Sequence, residues 1–175
     1  MDSSENYDRY RGMAAEPVTS AMPLEADTLR RFAQAIMDAD PLYWDEAEAA
    51  VSRYGGLVAP QLYPVHAFRR PAGTPDPLEA LGEDHEADGT QGSMGVGFGL
   101  HSIDMPYRRL LNGGNEIEFF RSLRVGEKVV AEPRYADVTL KQGKSGNLLL
   151  VTVETRFTTE AGELLLINKQ TLIWR

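Results

Sequence analysis

An α+β domain is what this sequence predicts, for three reasons. Helical periodicity is confined to the first third, strand alternation dominates the last third, and glycine turns divide the later strands at short intervals. At 175 residues the chain fits one domain, and its 42% hydrophobic content builds a core without disulfides or a structural metal. With no cysteine, thiolate zinc sites, thiol nucleophiles and disulfide staples are excluded, in keeping with a reducing cytoplasm.

Residues 1–14 carry almost no apolar periodicity and read as a loose tail before a domain spanning 15–175. Leu29, Phe32, Ala33 and Ile36 then follow the i, i+3, i+4, i+7 pattern, predicting an amphipathic helix from about Asp27 to Met37 with Asp27 or Thr28 as its cap. Asp40-Pro41 breaks it, because the residue before a proline is driven out of the helical region. Asp45 with Glu48 three residues on marks a second start, Ala47, Ala50, Val51 and Tyr54 form its stripe, and Gly55-Gly56 ends it. Leu57–Phe68 is apolar but holds Pro60 and Pro64, so it reads either as a kinked buried helix or as two short pieces.

From Arg70 to about Met94 the composition shifts to Pro71, Pro75, Pro77 and the acidic group Glu83, Asp84, Glu86 and Asp88. This is a long loop or insertion, either a mobile surface segment or a lid that shapes a cleft. Beyond it, Ile117 and Phe119 alternate with Glu116 and Glu118, and Leu149, Val151, Val153 and Phe157 with Thr152, Glu154 and Arg156. Turns at Gly143–Gly146 and Ala161-Gly162 make an antiparallel meander of about Val129–Leu140, Leu148–Thr159 and Leu164–Trp174.

The net charge of −8 and the absence of a basic run argue against nucleic acid as a partner. No window approaches the roughly 20 apolar residues of a membrane span, and the N-terminus has no apolar signal core, so neither membrane insertion nor secretion is expected. The pairs Arg30-Arg31, Arg69-Arg70 and Arg108-Arg109 either hold the phosphates of an anionic ligand such as coenzyme A or simply solvate the surface.

Asp38 and Asp40 stand where the first helix ends, beside a proline-fixed bend and among aromatic residues. A desolvated carboxylate there has its pKa raised toward the range of acid/base work, whereas a solvated one merely serves the turn. Gly92–Gly99 contains G-x-G without a following Walker lysine and reads as a flexible rim. Gly113-Gly114 either exposes amides to polarise a substrate carbonyl or forms a tight turn leading into the strand at Asn115. Three scattered histidines, His66, His85 and His101, show no metal-ligand spacing.

The stretch Phe32–Asp45 resembles the signature of MaoC-type hydratases and dehydratases, in which an Asp is followed two positions later by Asn-Pro and five positions later by a His. Asp38 matches the Asp, Asp40-Pro41 the Asn-Pro with one substitution, and Tyr43 stands in the place of the His. Ser52–Pro60, Leu111–Arg121, Leu123–Gly126 and Gln170–Ile173 are similar, in the same order, to the N-terminal MaoC-like dehydratase domain, so the resemblance runs from about Pro17 to Arg175. It implies a hot-dog fold, a curved antiparallel sheet wrapped around a central helix, with Leu57–Phe68 as that helix. It also implies a second hot-dog chain alongside, an acyl thioester of CoA or acyl carrier protein as substrate, and no metal or redox cofactor.

By the same resemblance Asp38 is the catalytic position, with Asp40, Tyr43, Gly113 and Gly114 as substrate-binding residues. A tyrosine hydroxyl, with a reference pKa near ~10 against ~6.5 for histidine, is a poor base at neutral pH. The expectation is therefore a subunit that shapes the acyl channel while its partner supplies the Asp-His pair, with fatty acyl or ring-bearing steroid side-chain thioesters as substrates. Three alternatives stand beside it: a self-sufficient homodimeric hydratase using Asp38 with Tyr43 or another histidine, a non-catalytic acyl-CoA binding module, and a thioesterase.

Overall fold

A computed structural model describes residues 7–68, 73–75, 79, 82–83, 98–107, 109–144 and 146–175. The alternating segments of the last third form long strands, β2 (Leu110–Phe119), β3 (Val129–Gly143), β4 (Gly146–Thr159) and β5 (Leu164–Trp174). With the short β1 (Val18–Thr19) they make one antiparallel five-stranded sheet in the order β1-β3-β4-β5-β2. The hairpin turns fall where the glycines predict, with Gly143 opposite Gly146 and Gly162 at φ 84°. Register shifts at Tyr135/Asp137 and Phe157/Thr158 insert extra residues, which bend and twist the strands.

Helices α1 (Ala26–Ala35), α2 (Glu46–Val51) and α3 (Tyr63–His66) come from the segment before β2. The apolar row of α1 buries Leu29 and Ala33 fully, while Ile36 beyond its end is half exposed. The capping expected of Asp27 or Thr28 does not form, because Glu25 stands at the N-cap without a side-chain bond. Asp27 instead accepts from Arg30 at 2.8 Å and Arg31 at 2.7 Å. Asp45 does cap α2, accepting from Ala47 N at 2.9 Å and Glu48 N at 3.2 Å. The buried face of α2 differs from the expected stripe: Ala49 is buried and Val51 is 84% exposed, because the helix stops after six residues, too short for a continuous face.

The central helix expected over Leu57–Phe68 is reduced to the single turn of α3. The prolines account for it: Val58 bridges to Arg124 and Ala59 N donates to Leu123 O at 2.8 Å, so the backbone before Pro60 is paired as extended chain. Two apolar clusters result. One joins Leu29, Ala59, Tyr63, Leu123, Phe157 and Leu166, and against it lie Phe68 and Phe98, whose ring centroids are 4.6 Å apart and 6.1 and 5.7 Å from Phe157. The insertion between Arg70 and Met94 falls largely outside the described residues.

The second cluster corrects the loose tail expected for 1–14. Residues 1–6 lie outside the described residues, but Tyr7 and Tyr10 are buried with Ile103, Tyr135, Val153 and Leu172. Gly12 N donates to Tyr135 O at 2.8 Å, and Asp104 N donates to the Tyr10 hydroxyl at 2.9 Å. Burial, with Tyr10 alongside, pushes the Tyr135 hydroxyl up to about 12, and it donates to His101 O at 2.7 Å. The segment packs because its two tyrosines supply apolar area that its polar neighbours conceal in a periodicity reading.

The approach to β3 is fastened by an ion cluster. Arg121 pairs with Glu127 and with Glu163 at 2.7 Å, and Arg124 N donates to Glu127 at 2.7 Å. Burial opposes the charged form of Glu127, but the Arg121 and Arg124 hydrogen bonds outweigh it and leave the carboxyl below its ordinary 4.5. A depressed folded-state pKa stabilises above the unfolded value, and the contribution is lost as pH falls through the folded one. Thermal melts from pH 7 to pH 3 should therefore decline less steeply below about pH 4.5 in Glu127→Gln than in the wild type; parallel curves would refute this coupling.

Candidate functional site

Helix α1 ends in a Schellman arrangement that delivers Asp38. Asp38 N donates back to Ala33 O at 3.0 Å and Met37 N to Gln34 O at 3.1 Å, with Met37 in the left-handed region at φ 58°. That conformation costs a non-glycine residue about 1 kcal/mol, and Met37 has no burial to offset it at 90% exposure. Asp38 Oδ1 then accepts from Asp40 N at 3.2 Å. Asp40, extended as its following proline requires, caps a 3-10 turn at Pro41–Tyr43 by accepting from Leu42 N at 3.0 Å. Val58 N donates to Leu42 O at 3.2 Å, tying the turn to the stretch before α3.

These bends open a cavity of about 490 Å³. Asp38, Asp40 and Tyr43 line it together with Phe32 of α1 and Ile36 just beyond its end, and Val58, Leu62 and His66 come from the α3 region. Phe119, at the end of β2, and Ser122 also line it. Burial raises the Tyr43 hydroxyl above its ordinary 10, and the Asp38 and Asp40 carboxylates raise it further. At neutral pH Tyr43 is therefore a hydrogen-bond donor in this cavity, opposite in role to the imidazole base of the motif. The size and mixed lining suit a small organic ligand with an apolar part and one polar end.

Asp38, Asp40 and Tyr43 are thus brought together, whereas Gly113 and Gly114 are not among the residues lining the cavity. They form the bulge of β2, where the register shifts between Asn112 and Gly114. A Cβ on Gly113 would stand 2.9 Å from Thr171 O, and Gly114 lies at φ 112°, so both positions require glycine for the strand itself. The amide of Gly114 is already engaged by Asn112 Oδ1 at 3.0 Å. The tight turn expected before Asn115 is strand, which begins at Leu110.

His66 faces the cavity with its ring centroid 5.5 Å from that of Phe32, while His101 sits beside the second apolar cluster, its carbonyl accepting from Tyr135. His85, Arg69, Arg70, Arg108 and Gly92–Gly97 lie outside the described residues. Arg30 and Arg31 are both tied to Asp27. Among the described residues no three His, Asp or Glu side chains converge as a metal site, and no helix is long and apolar enough to cross a membrane. Phe119 and Ser122 were invisible in the sequence as site residues, because only the pairing of β2 with β5 carries them to the end of α1.

Residues 11–167 match the model of the FAS1-like dehydratase domain region. A UPF0336 protein of Thermobifida fusca is 26% identical over 147 residues, 84% of this chain and 80% of its own length. Among solved structures, the ChsH1-ChsH2 complex from Mycobacterium tuberculosis superposes with a TM-score of 0.70 at 17% identity, over 97% of this chain and 88% of that one. The C-terminally truncated HadBC complex, a (3R)-hydroxyacyl-ACP dehydratase from the same organism, gives 0.59 at 19% identity over 94% and 96%. These likenesses show the hot-dog fold.

Proposed function

Because this chain belongs to the FAS1-like dehydratase domain region family, we propose that it is a hot-dog subunit of an enoyl-thioester hydratase or 3-hydroxyacyl-thioester dehydratase, the one that shapes the acyl channel. The carrying observation is the cavity that unites Asp38 with Tyr43, a side chain whose proton is held too tightly to serve as the base. The reaction adds or removes water across the α,β double bond of an acyl thioester of CoA or acyl carrier protein, an acid/base process that calls for no metal or redox cofactor. In this reading a second hot-dog chain supplies the Asp-His pair. This chain lines the acyl group with Phe32, Ile36, Val58 and Leu62 and offers the Tyr43 hydroxyl as a donor to the thioester carbonyl or to water.

The test is hydration of a short enoyl-CoA, followed by loss of the conjugated thioester absorbance. The protein alone is expected to give no turnover. Tyr43→His is expected to gain roughly tenfold or more over background, since a positioned base is worth about 10²–10⁴ in rate, and adding a hot-dog partner bearing the Asp-His pair should restore full activity. No gain in either arm would count against the reading.

His66 favours a second reading, a self-sufficient hydratase, because its ring faces the cavity that holds Asp38. Turnover by the protein alone, lost in both Asp38→Asn and His66→Gln, would select it. Release of free CoA would instead indicate a thioesterase, and binding without turnover in any pairing an acyl-CoA binding module.

A further inference from the structure

Asp38 lines two cavities. Besides the one it shares with Tyr43, it borders a second of about 360 Å³, and no other described residue lines both. The second is bounded by Arg30 and Gln34 of α1, by Met37 just beyond its end, and by Trp44, which follows the turn Pro41–Tyr43. Its apolar part is open to solvent: Met37 is 90% and Trp44 51% exposed, and Met37 keeps its left-handed backbone with no burial to offset the strain. Its polar part is arranged in advance. Gln34 Oε1 accepts from Arg30 Nη1 at 3.2 Å, which orients the side-chain amide, and the Gln34 amide nitrogen has no hydrogen-bond partner among the described residues. Arg30 and Arg31 share the one carboxylate of Asp27, so this group of three side chains is net positive.

We propose that this second cavity is the subsite for the phosphopantetheine arm of the thioester, with the acyl group in the first cavity and the thioester itself at Asp38, where the two meet. The assignment rests on the thioester reading above. The acyl group belongs in the first cavity because that one is larger and lined by Phe32, Val58 and Leu62. The arm carries two amides, a gem-dimethyl group and a terminal phosphate, and the second cavity offers a counterpart to each. The Gln34 nitrogen donates to an amide carbonyl of the arm. Met37 and Trp44 cover its methyl and methylene groups and gain the burial they lack in the free chain. Arg30 and Arg31 present forked donors to the phosphate. The spacing agrees as well. Arg30 precedes the Asp38 bend by about two helical turns, roughly 11 Å, and the three units of the arm, joined by its two amides, span about 10 Å or more when extended.

The experiment measures binding and needs no turnover. Butyryl-CoA, which has no double bond to hydrate, is titrated by ligand-observed NMR beside butyryl-phosphopantetheine and the butyryl thioester of N-acetylcysteamine, which lacks most of the arm. The proteins are the wild type, Trp44→Ala, Gln34→Leu and Arg30→Ala/Arg31→Ala, with thermal melts to verify that each folds. For the two long thioesters Kd is expected to rise about tenfold in Trp44→Ala, as for uncovering an aromatic contact, and about fivefold in Gln34→Leu, as for one lost hydrogen bond. The double arginine variant should bind them weakly and with little dependence on salt. The short thioester should bind all four proteins within about twofold of one another, since the first cavity is untouched. Equal affinity of the two long thioesters fits delivery by a carrier protein, and tighter binding of butyryl-CoA assigns CoA. Three results overturn the subsite: short and long thioesters weakened alike, long thioesters unaffected by every variant, or a wild type that does not bind butyryl-CoA at millimolar concentration. Hydration absent in every pairing while this binding pattern holds removes the hydratase and leaves the subsite; hydration present with the pattern absent does the reverse.

Discussion

Replacing Phe157 with alanine is expected to lower the unfolding free energy by about 3–5 kcal/mol, the range for removing a fully buried aromatic ring from a packed core. Phe157 has no exposed surface, and its strand neighbours Ala131 and Leu166 are equally buried. Phe68 and Phe98 rest on it from the other side, so a single deletion removes the platform for two further rings. Total stabilities of such domains are about 5–15 kcal/mol, so the variant should lose roughly a fifth or more of what holds it folded. Urea unfolding at constant slope reads this directly. A loss below about 1 kcal/mol would mean that the surrounding rings collapse into the space.

Filling the cavity should have the largest effect on activity. Ser122→Trp adds an indole to the lining of the cavity that Asp38 and Tyr43 share, a space of about 490 Å³. With the hydratase partner present, kcat/KM for a long-chain enoyl-CoA is expected to fall about 100-fold or more, because misplacing reacting atoms by about 1 Å already costs that much. A four-carbon enoyl-CoA should lose less than about tenfold, since its short chain leaves the indole room. Equal losses on both substrates, or none on either, would place the acyl chain outside this cavity. Ser122 is only partly buried, so an unchanged melting temperature would separate this effect from misfolding.

What could be read from the sequence follows how local the deciding interactions are. The run Leu29, Phe32, Ala33 and Ile36 predicts α1 because helical period and burial are encoded within ten residues, and β5 was placed at Leu164–Trp174 by alternation and a glycine turn. Asp38, Asp40 and Tyr43 share one cavity because they lie on a single bend. Non-local features were not legible. Tyr7 and Tyr10 pack on Tyr135, more than a hundred residues away, so polar neighbours made them look like tail. Gly113-Gly114 carries the same letters whether it serves a ligand or a bulge, and only Thr171 on the adjacent strand shows which. The α2 stripe failed because amphipathic spacing says which residues share a face and not whether anything covers it.

The meeting of Phe68 and Phe98 bears on how this protein tolerates change in length. Their rings, with centroids 4.6 Å apart, hold both ends of the intervening chain against the core, so the sheet receives the same closed boundary whatever number of residues lies between them. Closing a loop grows more costly only with the logarithm of its length, about 0.6 kcal/mol for each doubling. On that scaling, adding or removing residues between the two phenylalanines is expected to cost the fold little.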